Sequence, residues 1–162
     1  MERSRKKKSR EGDSKLSILA QAMSLAAGWH NEQMDKGGFP YVGHLMGVWN
    51  RVRLESETVQ VVALLHDILE DTNCPEAEIA AFGEKILYAV QAITHRKWER
   101  YEDYIARVKK NEIARMVKLA DLADNTSEFR LRHLTEGDKI YFGNRKKTHY
   151  LPAIEELMKG NQ

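Results

Sequence analysis

The chain has one cysteine, three prolines and few aromatic residues, at 8%. A single Cys74 cannot form an internal disulfide, and a reducing cytoplasm is the expected setting. No apolar run approaches the roughly 18 residues of a membrane-spanning helix. The N-terminus is basic but carries no apolar core of the kind a secretory signal needs. There is no convincing strand alternation, no internal repeat and no interleaving of aromatic with basic residues along the body of the chain. That last absence argues against a nucleic-acid partner.

The 162 residues are enough for one domain with a real core and too few for two. Apolar residues make up 42% and charged residues 31%, the balance of a soluble globular protein. The net charge of +2 is unevenly spread, because the run from Arg3 to Arg10 holds six basic residues. Residues 1–13 are expected to be a solvated, disordered basic tail, and residues 14–159 the folded domain. The sequence does not address the oligomeric state.

Almost everything after Asp13 is predicted to be helical. Leu16, Leu19 and Met23 recur at helical spacing, with Ser14 placed as an N-cap. The cluster Asp35 to Pro40 ends that helix, and a short helix from Tyr41 to Arg51 carries His44. Ser56 caps the next helix, predicted to run unbroken through "VVALLHDILED", with its apolar start at the centre of the fold. Later helices cover "EKILYAVQAI", "YEDYIARVKK", "NEIARMVKLADLADN" and the closing segment to Met158, where Pro152 kinks the helix or starts a new one. Trp98, Tyr101 and Tyr104 are spaced as a core-facing stripe. The fold class is therefore an all-α, single-domain helical bundle.

Four short segments carry residues suited to one metal ion: His44, the pair His66-Asp67, and Asp121. Two imidazoles and two carboxylates suit a divalent first-row ion such as Mn²⁺, Fe²⁺ or Zn²⁺. On a continuous helix Glu70 would lie over His66, and Asp71 over Asp67. A second acidic pair is thereby placed to take or deliver the proton of a water activated by the ion. Four ionisable groups on an otherwise apolar helix are costly to bury unpaired, and a metal removes that cost. Asn125 stands one turn beyond Asp121 and can hold a ribose hydroxyl or phosphate oxygen, while Asp124 and Glu128 read as a solvated face. Lys36, Arg96, Lys97, Lys118 and Lys147 are the basic candidates for phosphate.

The stretches "HNEQMDKGGFPYVGH", "ALLHDILEDT", "FG" and "VKLADLADN" resemble the HD-domain superfamily, and more closely its RelA/SpoT-type alarmone hydrolase branch. The match runs from about Ala20 to Arg132. The resemblance implies a helical HD-type bundle with one metal, Mn²⁺ by preference, on His44, His66, Asp67 and Asp121. It implies water activation by Glu70 and Asp71, and nucleotide contacts at Lys36, Asn125 and Tyr150, with Arg96 and Lys97 added here as loop cations. The reaction implied is removal of the 3′-pyrophosphate from guanosine polyphosphates. One departure stands out: where that branch carries Arg-Lys after the Gln, this chain has Asp35-Lys36. A phosphohydrolase for another nucleotide, or an inactive module that keeps the fold and the metal, are the alternatives.

Overall fold

The computed structural model describes residues 16–159. The expected basic tail and the Ser14 cap lie outside the described residues. Helix α1 (Ile18–Trp29) begins instead at Ser17, whose hydroxyl accepts a hydrogen bond from the Ala20 N–H. The cluster that follows is a tight turn. Asp35 Oδ1 accepts from the N–H groups of Gly37 and Phe39 at 2.9 and 3.0 Å, and Gly38 takes φ 79°, a value open to glycine. A single bridge between Met34 and Pro40 closes this turn.

Helix α2 (Val42–Arg51) leads to α3 (Glu57–Leu65), which Ser56 caps as expected. In α3 the residues Val59, Val61, Val62, Ala63, Leu64 and Leu65 are all buried. Each large apolar side chain removed from water contributes about 1.5–3 kcal/mol, so this helix must be enclosed. The helix does not continue through the acidic segment: it stops at Leu65, His66 and Asp67 form a turn, and α4 (Ile68–Asp71) restarts. Helices α5 (Glu76–Ala80), α6 (Glu84–Ile93), α7 (Tyr101–Lys109) and α8 (Glu112–Asn125) come next. α3 packs against α1, α2, α6 and α8 at the centre of the bundle.

The stripe predicted from Trp98 begins only at Tyr101. Tyr104 is buried and Tyr101 half-buried, but Trp98 is 91% exposed because it lies in the loop before α7. Arg107 braces that loop, giving two hydrogen bonds to Glu99 and others to the carbonyls of Gln91, Ala92 and Thr94.

After α9 (Glu128–Leu131) and α10 (Glu136–Arg145), residues Lys146–Tyr150 form a π-helical turn that runs into α11 (Leu151–Met158). Pro152 lies in the first turn of α11, where its missing N–H costs nothing, so it starts a helix rather than bending one. Among the described residues there is no named strand, and no helix is long and apolar enough to cross a membrane.

Candidate metal centre

The interruption after Leu65 matters because consecutive residues of a regular helix point about 100° apart. With the helix broken, His66 Nε2 and Asp67 Oδ2 come within 2.9 Å of each other. From α2, His44 Nε2 approaches Asp67 Oδ2 at 3.5 Å, and from α8, Asp121 Oδ1 lies 3.2 Å from His44 Nε2 and 3.8 Å from His66 Nε2. An ion about 2.1 Å from each of its ligands holds them roughly 3–3.5 Å apart, so these separations suit one ion. His44, His66 and Asp121 are buried, and each offers a donor atom within 4.8 Å of the others.

Both imidazoles are turned so that Nε2 faces the carboxylates. His66 Nδ1 is 2.8 Å from the Ala63 carbonyl, and His44 Nδ1 is 2.8 Å from Asp124 Oδ2. An acceptor at Nδ1 places the proton there and leaves the Nε2 lone pair free. His66 Nε2 is buried with no hydrogen-bond partner, the condition a ligand to a cation satisfies. The chain thus offers a site in which a divalent ion fits.

Charge is concentrated around these groups. Burial alone would lower the imidazole pKa of His44, but Asp121, Asp124 and Asp67 outweigh it and raise it well above the usual range. For His66, too, burial is outweighed, chiefly by Asp67, and the pKa is raised. Burial would raise the two carboxylates, yet His66 and His44 hold Asp67 well below the usual range, and Lys118 with the histidines holds Asp121 down. Lys118 Nζ sits 2.8 Å from Asp121 Oδ2, and the Tyr41 hydroxyl donates to Asp67 Oδ2 at 2.6 Å.

Beside this group lies a cavity of about 150 Å³ lined by Tyr41, Asp67, Glu70, Asp71, His95, Tyr101, Tyr104, Lys118, Asp121, Asn125, Arg145 and Tyr150. Glu70 accepts from the His95 N–H at 2.9 Å, and burial pushes its carboxyl pKa up. Asp71 accepts from Gln33, which is in turn 2.6 Å from His30. Asn125 Nδ2 donates to Asp121 Oδ1 at 2.6 Å, and Arg145 Nε donates to the Tyr150 hydroxyl at 3.2 Å. Larger hollows exist, about 690 Å³ beside Trp29 and Phe82 and about 420 Å³ beside Phe39 and Phe129, but their linings are mainly apolar.

Of the residues predicted from sequence, His44, His66, Asp67, Glu70, Asp71, Asp121, Asn125 and Tyr150 therefore come together. Lys36, Arg96 and Lys97 do not line this cavity. The Lys36 ammonium sits 4.0 Å over the Tyr141 ring, and Arg96 and Lys97 are exposed on the braced loop. Asp124, expected on a solvated face, is buried against His44. Tyr41, Lys118 and Arg145 complete the walls. Lys118 was visible as a cation one turn before Asp121, whereas nothing in the spacing marked Tyr41 or Arg145.

No family model matches the chain. The GTP pyrophosphokinase of Myxococcus xanthus is 26% identical over 163 residues, and the chain spans only 21% of its length. The guanosine-3′,5′-bis(diphosphate) 3′-pyrophosphohydrolase MESH1 of Drosophila melanogaster is 30% identical over 123 residues, which cover 68% of this chain and 69% of that protein. A solved metazoan ortholog of SpoT, one that hydrolyses ppGpp, superposes with a TM-score of 0.68 at 23% identity, covering 91% of this chain and 97% of the other. This likeness of fold and the identity shared with the fly protein lead to one assignment: the chain belongs to the HD-type guanosine-3′,5′-bis(diphosphate) 3′-pyrophosphohydrolase family.

Proposed function

We propose that the chain hydrolyses guanosine 3′,5′-polyphosphates, releasing the 3′-pyrophosphate, with one Mn²⁺ held by His44, His66, Asp67 and Asp121. The observation that carries this reading is the buried, unpartnered Nε2 of His66 among two carboxylates and a second imidazole, next to a cavity with both acids and cations. The fly relative's own activity, a 3′-pyrophosphohydrolase, supports the substrate. A divalent ion bound here would make a water more acidic and draw charge from the attacked phosphate.

The protein's own groups supply the rest. Glu70, raised by burial and fixed by the His95 N–H, takes the proton of the attacking water. The phosphorus bond to the ribose 3′-oxygen breaks, and Asp71, held by Gln33, returns a proton to that oxygen. Lys118 and Arg145 face the pyrophosphate oxygens, where developing charge needs fixed cations. Asn125 gives its N–H to Asp121 and keeps its carbonyl for a ribose hydroxyl, and the Tyr150 hydroxyl, accepting from Arg145, is free to donate. A cavity of about 150 Å³ is small beside the roughly 300–1,000 Å³ of whole-ligand sites. It admits the reacting phosphates, and the base lies outside it. Lys36, Arg96 and Lys97 are left to the part of the nucleotide that protrudes. Residues 14–159 act as one catalytic domain, and the lone Cys74 accords with a cytoplasmic setting.

A second reading, hydrolysis of a different nucleotide, is favoured by one observation. Asp35 stands where an Arg was expected, and its carboxylate lies 3.9 Å from Arg130 Nη2. A panel of guanosine polyphosphates, nucleoside monophosphates and cyclic nucleotides, assayed with Mn²⁺, separates the two. The alarmone is expected to be cleaved fastest, and an intact alarmone beside a cleaved competitor would replace the substrate named here. Glu70→Gln is expected to lower kcat about 10²–10⁴-fold with metal content unchanged. Equal turnover in the variant would remove Glu70 from the chemistry.

A further inference from the structure

We infer that Asp124 is a positioning residue for His44, held in place through an absent side chain at Gly47. The inference rests on the proposed metal centre. Asp124 is only 7% exposed, although its place on α8 read as solvated. Its Oδ2 meets His44 Nδ1 at 2.8 Å across 80 residues of chain. A carboxylate only accepts, so His44 carries its proton on Nδ1 and presents Nε2 to Asp67 and Asp121.

Gly47 explains how the carboxylate gets there. It lies three residues after His44, on the same face of α2. A Cβ built on Gly47 would stand 2.5 Å from Asp124 Oδ1 and 3.0 Å from its carboxyl carbon. The carboxylate thus fills the space that any side chain at 47 would occupy. Two cations offset its charge at the rim: Arg51 Nη2 is 3.4 Å from Oδ1 and Arg130 Nη1 is 3.5 Å from Oδ2. Arg130 also reaches Asp35, so the turn before α2 is tied to the same carboxylate. Asp124 itself is not placed to touch the substrate; it acts through His44.

The test compares the full chain with Asp124→Asn, Asp124→Ala and Gly47→Ala, each read two ways. The first readout is the downfield imidazole N–H signal of His44 in the NMR spectrum of the metal-free protein. The second is the affinity for added Mn²⁺. In the wild type the His44 signal should be sharp. Asp124→Asn keeps an acceptor and should retain a weakened signal, while Asp124→Ala should lose it. The His66 signal, anchored on the Ala63 carbonyl, should persist in all of them. Mn²⁺ affinity should fall about 10–100-fold in Asp124→Ala, as for other outer partners of a ligating histidine, and less in Asp124→Asn. Gly47→Ala should resemble Asp124→Ala. If Asp124→Ala does not fold, Asp124→Asn decides: affinity within about twofold of wild type, with an unshifted His44 signal, overturns the inference. Loss of the His66 signal together with that of His44 also overturns it, since the role would then be general packing. Failure of the wild type to hold Mn²⁺ would sink the proposed metal centre, while the N–H signal would still report on the Asp124–His44 bond.

Discussion

The two walls of the 150 Å³ cavity are built in different ways. The inner wall consists of His44, His66, Asp67 and Asp121 on segments that pack against one another at the centre of the bundle, and three of these four side chains are buried. The outer wall draws Tyr101 from α7 and Arg145 and Tyr150 from the last third of the chain. Inner groups are fixed by many partners each; Arg145 is fixed chiefly by the Tyr150 hydroxyl and ring. The contrast teaches that binding an ion and binding a nucleotide are separable tasks here, one given to the core and the other to its margin.

Asp121→Ala should break the inner wall outright. Asp121 neighbours His44, His66, Lys118 and Asn125 at once, so its loss leaves a buried ammonium without its carboxylate. Metal content by elemental analysis and hydrolysis should fall together, by more than the 10–100-fold, roughly, that outer partners cost. A metal stoichiometry equal to wild type would remove Asp121 from the ligand set.

Arg145→Met should sharpen the contrast from the other side. A lost hydrogen bond to a charged group costs about 1.5–3 kcal/mol, or roughly tenfold or more in affinity. KM should rise by about that factor at full metal content. A fall in metal content instead would mean that the walls are not independent.

The smallest effect concerns the loop that bears Trp98, which belongs to neither wall. Arg107 beside Glu99 holds that carboxyl down at about 2. A carboxyl depressed in the folded state stabilises fully above its ordinary pKa, and the contribution disappears as pH falls through the folded value. Thermal stability should therefore drop between roughly pH 4.5 and 2, and less steeply in Glu99→Gln. Identical pH profiles for the two proteins would show that the bridge adds nothing.

The sequence made the inner wall legible because its donors sit in short dense segments whose polarity clashes with their apolar surroundings, as His66-Asp67 does after "VVALL". The caps at Ser56 and the turn from Asp35 to Pro40 were readable for local reasons. The break at His66 was not, since its apolar pattern runs on through Ile68 as it would in a continuous helix. Asp124 was misjudged because its burial depends on Gly47, far away in sequence, and Trp98 because spacing alone does not reveal where α7 begins. Arg145 lay beyond reach, as only the path of the final helices brings it back to the cavity.

The widened turn at Lys146–Tyr150 has a bearing on how tolerant this chain is of length changes. Removing one residue there would restore ordinary winding and swing everything downstream by about 100°. Tyr150 would then point away from its arginine, and Leu157, now fully enclosed, would turn toward water. A one-codon deletion in this stretch should therefore do more harm than most single substitutions around it.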